Sequence, residues 1–294
     1  MSLWIEAGAA TTPTTLAWLT DIHLAHLPEG GARAFGEKVR RDNPTLTMAL
    51  VTGDIAEGPS WCSLLHELQA GIGVPVKFVL GNHDFSHRSV REVRAEAARL
   101  HDHRGPVAWL TRSHSVPLDQ RTILTGHDGW YDCREGVLTS RSILTPDATT
   151  IKGFEALSPP QFQAAARSLA DRFAIEARIL LLDKFKAPLP SLGLPRIVFA
   201  THVPPYKEAS WHEDELSSDD WLPWMCSRAM GDMLDDMSSL VPEVKFAVLC
   251  GHTHSPGVYR RSPNLVVRTG EAVYGAPRVS GVFTFDGSDK EPFL

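Results

Sequence analysis

The sequence is poor in cysteine, has no long apolar run and carries no excess of positive charge. Its 294 residues include four cysteines with no CxxC pair, so neither a disulfide scaffold nor a cysteine-based zinc site is expected. No apolar stretch approaches the ~18 residues that cross a membrane, so we expect no membrane span. The formal net charge of −6 argues against a nucleic-acid partner, because general nucleic-acid binders usually carry a clear basic excess.

The N-terminal segment also lacks basic residues, because residues 1–15 contain no Lys or Arg and include Glu6. A secretory signal normally begins with basic residues, so we expect a cytoplasmic protein. The remaining composition is that of a globular protein, with 43% hydrophobic and 22% charged residues. The chain shows no internal repeat, low-complexity tract or linker.

Apolar runs and helical patterns alternate along the first third of the chain. Helices are predicted over residues 31–41 and 59–70, and over a stretch that opens at Ser86 or Ser89 and ends at Leu100. This β-α order predicts parallel strands and an α/β fold. Short β-like runs follow over residues 107–144, then a long helix over residues 158–186. Further strands are predicted around Ile197, Phe246, Val266 and Val282.

Five of the apolar runs stop at residues that commonly bind metals. The residues at these five ends are Asp21 with His23, Gly53-Asp54, Gly81-Asn82-His83-Asp84, His202, and Gly251-His252-Thr253-His254. In open α/β sheets, sites form just beyond the carboxyl ends of such strands, so the five ends predict one site. Because ligands from residues 21 to 254 must meet there, we expect a single domain over residues 1–294.

The residue types in these motifs suit a pair of divalent metal ions. Imidazole and carboxylate ligands together suit Mn, Fe or Zn, and affinity order alone does not select among the three. A two-metal site needs one ligand that touches both ions, and the two oxygens of Asp54 make it the candidate bridge. Asn82 offers a neutral amide oxygen, which limits the negative charge around an anionic substrate.

Taken in order, these motifs resemble those of the calcineurin-like metallophosphoesterases, and every expected ligand position is occupied. The resemblance spans residues 21–254 and implies a four-layer α-β-β-α sandwich of two packed mixed sheets flanked by helices. It implies that the first metal is held by Asp21, His23, Asp54 and His254. It implies that the second metal is held by Asp54, Asn82, His202 and His252.

At two places the motifs of this chain differ from those of other branches of the family, and these differences leave one branch that the chain resembles. The chain has GNHD and no Asp-Arg-Gly after Asp54, unlike the protein serine/threonine phosphatases. Glu57 stands where purple acid phosphatases place a metal-binding Tyr, so a tyrosinate-to-iron colour is not expected. The pattern that remains resembles the bacterial cyclic-nucleotide-phosphodiesterase-like branch, in which substrates vary widely.

A centre of this kind predicts metal-dependent hydrolysis of a phosphoester, and we expect a phosphodiester of a small molecule. His83 is the candidate general acid for the leaving alkoxide, and Asp84 is expected to hold the His83 ring. Three alternatives stay open, namely a phosphomonoesterase with the same centre, a nuclease of the same superfamily and a non-enzymatic metal-binding scaffold. The sequence does not give the natural substrate, the pathway or the oligomeric state.

Residues 206–224 are a candidate substrate-cap insertion. This segment is acidic, contains Trp211, Trp221 and Trp224, and starts close to His202. Loops on a rigid scaffold near a site often set specificity. The alternative is a surface loop whose Trp side chains pack on the body. His127, His87 and Arg88 are further candidates for phosphate contacts, although His127 also fits an ordinary polar turn.

Overall fold

Two β-sheets packed face to face form the centre of the molecule, and helices cover their outer faces. The computed structural model describes residues 13–113, 115–138, 145–185 and 195–288. The buried apolar side chains form three clusters, one between the sheets and one between each sheet and its helices. Three apolar layers separate four layers of secondary structure, which confirms the predicted α-β-β-α sandwich.

The first sheet has the spatial strand order β13-β1-β2-β3-β4. Its strands are β1 (Thr14–Leu19), β2 (Met48–Thr52), β3 (Val76–Val79), β4 (Val107–Trp109) and β13 (Gly281–Phe285). Strands β1 to β4 are parallel, as the β-α alternation predicts, and β13 pairs with β1 in the antiparallel sense.

The second sheet has the order β11-β12-β10-β7-β6-β5. Its strands are β5 (Val116–Pro117), β6 (Thr122–Gly126), β7 (Arg196–Ala200), β10 (Lys245–Cys250), β11 (Gly257–Ser262) and β12 (Leu265–Thr269). The four inner strands are parallel and the two edge strands are antiparallel to their neighbours. A separate two-stranded hairpin comprises β8 (Trp211–His212) and β9 (Glu215–Leu216).

The helices of the described residues are α1 (Gly31–Asp42), α2 (Trp61–Ile72), α3 (Val90–Ala97), α4 (Asp147–Thr150), α5 (Pro159–Phe185), α6 (Leu222–Met225) and α7 (Arg228–Leu240). Helices α1, α2, α3 and α5 agree with the predicted helical patterns to within a few residues, whereas α4, α6 and α7 were not predicted. Ser89 caps α3 through a reciprocal pair of hydrogen bonds with Glu92. Within the described part of the chain, no helix combines the length and apolarity needed to cross a membrane.

Strand β1 contributes apolar side chains to two of the three buried clusters. Leu16 and Trp18 lie in the cluster between the sheets, whereas Ala17 and Leu19 lie in the cluster under the helices. Successive side chains of a strand point to opposite faces, so a strand covered on both faces must be apolar at every position. The same requirement makes the run end where the strand leaves the sheet, and polar residues follow at that point.

Candidate metal centre

The seven predicted metal ligands meet where the carboxyl ends of five parallel strands come together. The first sheet contributes Asp21 and His23 after β1, Asp54 after β2 and Asn82 after β3. The second sheet contributes His202 after β7 and both His252 and His254 after β10. Most of these side chains are buried, with Asp21, His23, Asp54 and His202 at most 1% exposed. The structure therefore brings together the residues that the sequence placed in one site.

Their ligand atoms form two clusters that share Asp54. One cluster contains Asp21, His23, Asp54 and His254, and the other contains Asp54, His202 and His252, each with ligand atoms within 4.8 Å of one another. Oδ2 of Asp54 lies 3.8 Å from Nε2 of His23, and its Oδ1 lies 3.4 Å from Nε2 of His202. The two oxygens of Asp54 thus face different clusters, which is what a bridging carboxylate requires.

The histidine rings are oriented by oxygen acceptors on the side away from the site. The three ring-nitrogen contacts are His23 Nδ1 to Glu57 Oε1 at 2.8 Å, His202 Nδ1 to the Thr52 carbonyl at 3.0 Å, and His252 Nε2 to the Trp224 carbonyl at 2.8 Å. An oxygen acceptor fixes the proton on the outer nitrogen, so the inner nitrogen carries a free lone pair. Such outer partners are typical of metal-binding histidines.

Asn82 is oriented in the same way by a residue that the sequence analysis missed. Its amide Nδ2 donates to Oδ1 of Asp147 at 3.2 Å, so its Oδ1 faces Nε2 of His202 at 3.0 Å. The hydroxyl of Tyr131 donates to the other oxygen of Asp147 at 2.8 Å. Asp147 therefore directs the amide oxygen of Asn82 into the second cluster. No sequence motif marks Asp147, which lies in the short helix α4.

Many of the ligands have a left-handed backbone conformation. The residues with positive φ include Asp21, His23, Asp54, His252 and His254. This region costs a non-glycine residue roughly 1–3 kcal/mol and persists only where the surrounding structure imposes it. Such strain at one place is common in binding and catalytic sites.

Three glycines let the ligand loops approach one another. A Cβ on Gly53 would lie 2.7 Å from Cγ of His202, and a Cβ on Gly81 would lie 2.8 Å from Cγ of Asp54. A Cβ on Gly251 would lie 3.0 Å from Cγ of Asp21. In each case the glycine makes room for a ligand that comes from a different strand. Gly53 also has a φ of 89°, as expected for a sharp turn after β2.

The charges of the cluster favour a cation. Burial alone would lower the pKa of His202, but Asp54 outweighs this effect and raises that pKa to about 10, so a proton on the inner nitrogen takes the place of a cation beside Asp54 and would be released when a metal ion binds. Burial alone would raise the pKa of Asp21, but the hydrogen bond from His254 and nearby imidazoles lower it to about 2. The carboxylates of Asp21 and Asp54 therefore stay ionised although they are buried. Buried negative charges need positive charge nearby. Carboxylate, imidazole and amide ligands fit two divalent ions of intermediate softness such as Mn, Fe or Zn.

His83 lies at the edge of the centre, but the expectation that Asp84 holds its ring is wrong. The Asp84 carboxylate accepts hydrogen bonds from the backbone N–H groups of Ala56, at 3.0 Å, and Gly81, at 2.8 Å. Asp84 therefore ties together the loops after β2 and β3. The carboxylate beside His83 is Glu57, whose Oε1 lies 3.8 Å from Nδ1 of His83.

Two of the three further candidates for phosphate contacts, His127 and Arg88, pair with carboxylates of the protein itself. His127 is buried, and its Nε2 lies 3.2 Å from Oε2 of Glu176. His87 pairs through its backbone N–H with the Thr150 carbonyl at 2.7 Å, and Arg88 forms an ion pair with Glu96. The side chains of His127 and Arg88 are therefore used within the fold, whereas the exposed side chain of His87 stays a candidate for a phosphate contact.

Tyr274 is a neighbour of the centre that the sequence analysis missed. Its ring centroid lies 4.3 Å from that of His23 and 5.1 Å from that of His254, and the residue is 49% exposed. It therefore forms a partly open wall beside the first cluster. Only the fold shows this position, since Tyr274 lies in a loop without a recognisable motif.

Residues 206–224 lie against the second cluster and include the β8-β9 hairpin. Nδ1 of His212 lies 3.2 Å from the carbonyl of Thr253, in the loop between two ligands. Trp224 is buried and provides the carbonyl that orients His252, whereas Trp221 is 43% exposed. Beside the hairpin lies a cavity of 720 Å³ lined by His212, Glu213, Glu215, Leu216, Ser217, Ser218, Trp221 and Met225.

The chain is similar to known proteins in its sequence pattern and in its fold. The model of the calcineurin-like phosphoesterase family matches residues 14–256. No curated protein sequence matches the chain. Among solved structures, phosphopantetheinyl hydrolase from Mycobacterium tuberculosis has a TM-score of 0.61 and 16% identity, covering 89% of this chain and 90% of its own. A dimetal phosphatase from Danio rerio has a TM-score of 0.54 and 13% identity, covering 92% of this chain and 91% of its own.

Proposed function

Because the chain belongs to the calcineurin-like phosphoesterase family, we propose that it hydrolyses a phosphodiester of a small molecule at a dinuclear metal centre. The observation that carries the proposal is the position of Asp54, whose two oxygens face two separate clusters of ligand atoms. Asp21, His23 and His254 would complete the site of the first ion. Asn82, His202 and His252 would complete the site of the second.

Two divalent ions bound there would act as Lewis acids that polarise the phosphoryl group and activate water. The protein contributes the orientation of the groups around them. The outer acceptors fix the histidine tautomers, and Asp147 fixes the amide of Asn82. These restraints favour catalysis because preorganised groups need not reorganise during the reaction.

We propose His83 as the general acid that protonates the leaving alkoxide. The ring is 26% exposed, so it can reach a bound substrate, and its Nδ1 faces Oε1 of Glu57. A proton on Nδ1 would point to Glu57, and Nε2 would then be the nitrogen that serves the leaving group. Glu57 also accepts from His23, so one carboxylate orients both a metal ligand and the proposed acid.

The cavity beside the β8-β9 hairpin is the place that we propose for the second ester group of a diester, although none of the predicted metal ligands lines it. Its volume of 720 Å³ is within the range of small-molecule sites and can accommodate a second ester group. No Lys or Arg is among the described residues that line it, whereas Glu213 and Glu215 are. The cavity therefore favours an uncharged or cationic alcohol group over a second phosphate. We propose residues 206–224 as the substrate cap. We also propose that the chain belongs to the bacterial cyclic-nucleotide-phosphodiesterase-like branch, which its motifs resemble.

The decisive experiment compares turnover of bis(p-nitrophenyl) phosphate and p-nitrophenyl phosphate by protein loaded with Mn, with Asp54→Ala as the control. Preferred hydrolysis of the diester that disappears in Asp54→Ala would support the proposal. Preferred hydrolysis of the monoester would instead indicate a phosphomonoesterase. No turnover of either compound, despite two bound ions per chain, would favour the scaffold alternative.

The role of His83 is tested with aryl diesters whose leaving groups differ in pKa. His83→Ala should keep its metal content and lose most activity on poor leaving groups, typically ~10²–10⁴-fold for a lost general acid. Glu57→Gln should show the same trend more weakly. His26→Ala is the matched control, because Nε2 of His26 contacts the same Glu57 oxygen at 3.0 Å. An equal loss on good and poor leaving groups would exclude the acid role.

The cap is tested at Trp221 and Leu216, which are 43% and 49% exposed beside the cavity. Trp221→Ala with Leu216→Ser should raise KM for bulky diesters and leave metal content and methyl ester turnover unchanged. Ile179→Ala is the control, because Ile179 is 63% exposed and lies on α5, away from the cavity lining. An unchanged KM for every diester would argue against a cap.

A further inference from the structure

A second cavity, of 650 Å³, lies outside the metal centre between helices α3 and α5. The charged residues that line it are Arg91, Arg94, Arg112, Arg172, Lys152 and Glu176. Its wall therefore carries five cationic side chains and one carboxylate. This concentration of positive charge does not follow from composition, since the whole chain has a formal net charge of −6.

The single carboxylate that lines this cavity, that of Glu176, is already paired with side chains of the protein. Oε2 of Glu176 lies 2.6 Å from Nη2 of Arg94 and 3.2 Å from Nε2 of His127. Across the described ranges, the four other cations, which are Arg91, Arg112, Arg172 and Lys152, form no ion pair. Four positive charges outside any ion pair, of which only Lys152 lies in the field of a further carboxylate, that of Glu92, raise the local concentration of anions.

Arg94 provides a fixed group at the base of the cavity. Its side chain is only 13% exposed, and its guanidinium lies 4.3 Å from the ring centre of Phe173 and 5.4 Å from that of Trp109. Its Nε also lies 3.6 Å from Oδ2 of the buried Asp128. A guanidinium held in this way loses little conformational freedom when a ligand binds, so it favours binding.

Asp128, the buried carboxylate nearest to Nε of Arg94, is itself held in place. Its Oδ1 accepts from the Leu80 N–H at 2.9 Å and from Trp109 Nε1 at 2.7 Å. Its carbonyl accepts from the backbone N–H of His202 at 3.0 Å. The base of the cavity is therefore joined through Asp128 to strand ends that carry metal ligands, although no predicted metal ligand lines the cavity itself.

We propose that this cavity binds the dianionic phosphate group of a small molecule. Guanidinium groups match phosphate oxygens through paired, charge-assisted hydrogen bonds, and several surround this cavity. The N-terminal end of α3, at Ser89 and Val90, also borders the cavity, but the Glu92 carboxylate already caps it, so the arginines are the groups offered to a phosphate. Phe154 lines the cavity as well and offers an apolar contact for an organic substituent.

The test is calorimetric titration of Mn-loaded protein with inorganic phosphate and with phenylphosphonate, which cannot be hydrolysed. The wild type should bind one equivalent at this cavity in addition to any bound at the metal centre. Arg91→Glu with Arg172→Glu should weaken that equivalent at least tenfold. Arg41→Glu with Arg260→Glu, two exposed arginines elsewhere, should not.

Equal affinity in the wild type and the Arg91/Arg172 double variant would overturn the proposal, as would the absence of this equivalent in the wild type. If the charge reversal prevents folding, Arg91→Gln with Arg172→Gln replaces it, with circular dichroism as the check. Tighter binding of phenylphosphonate than of phosphate would indicate an organic phosphate held against Phe154. Equal binding of the two would indicate free phosphate. The result does not depend on the proposed hydrolytic activity.

Discussion

Replacing Gly53 by alanine should remove the second metal ion and leave the first in place. Gly53 precedes the bridging Asp54, and an added Cβ would lie 2.7 Å from Cγ of His202. His202 belongs only to the second cluster, so the perturbation reaches one site directly. The side chains of Asp21, His23 and His254 are not among the nearest neighbours of that Cβ.

The size of the effect follows from the contact distance. Ordinary van der Waals contact begins at 3.4 Å, so the ring of His202 must move by at least 3.4 − 2.7 = 0.7 Å. Its Nε2 lies 3.0 Å from Oδ1 of Asn82 and 3.4 Å from Oδ1 of Asp54, so such a shift breaks the ligand geometry. Displacements of ~1 Å at a reacting site cost roughly 10²-fold in rate. The positive φ of 89° adds about 1–2 kcal/mol of backbone strain.

Gly73→Ala separates the backbone strain from the steric effect. Gly73 also has a positive φ, of 69°, but an added Cβ there would meet no atom within 4 Å. Both variants should lose stability of the order expected for left-handed alanine. Only Gly53→Ala should lose the second ion, to be measured as metal per chain by mass spectrometry together with diester turnover. Two ions per chain and full turnover in Gly53→Ala would refute the reasoning.

Three other outcomes follow from the contacts described. Asp147→Ala should weaken binding of the second ion by roughly 10–100-fold in a metal titration, because Asn82 loses its orienting partner. Burial alone would raise the pKa of Glu176, but His127 and Arg94 lower it to about 2 from its ordinary value of 4.5. Its stabilising contribution is therefore present above pH 4.5 and is lost as pH falls towards 2, so chemical denaturation of Glu176→Gln should depend less on pH in that window. Chelation should lower the thermal midpoint, because ions that bind only the folded chain stabilise it by about 2.7 kcal/mol at a hundred times Kd.

The strands and the metal ligands could be predicted because both follow from one constraint. A parallel strand covered on both faces must be apolar throughout, so its end is visible as the first polar residue. Asp21, Asp54 and His202 stand at or just after such ends, and the sheet topology brings those ends together. The four-layer arrangement followed from the resemblance of the motifs and is confirmed by the three apolar layers.

The residues that orient the ligands could not be predicted, for two physical reasons. The acceptors of His202 and His252 are the backbone carbonyls of Thr52 and Trp224, and a carbonyl has no sequence signature. The direction of a side chain is also invisible in the sequence, which is why Asp84 was wrongly assigned to its neighbour His83. Glu57 was visible in the sequence, but only the fold shows that it lies beside His83.

The division of the ligands between the sheets has a consequence for folding kinetics. Each ion would draw ligands from both sheets, and Asp21 and His254 are separated by 233 positions in the chain. The centre can therefore assemble only after nearly the whole chain has folded, since contacts so distant in sequence close late. Bound ions would then link the two sheets and slow their separation during unfolding. We expect the lifetime of the folded chain against proteolysis to depend on free metal concentration.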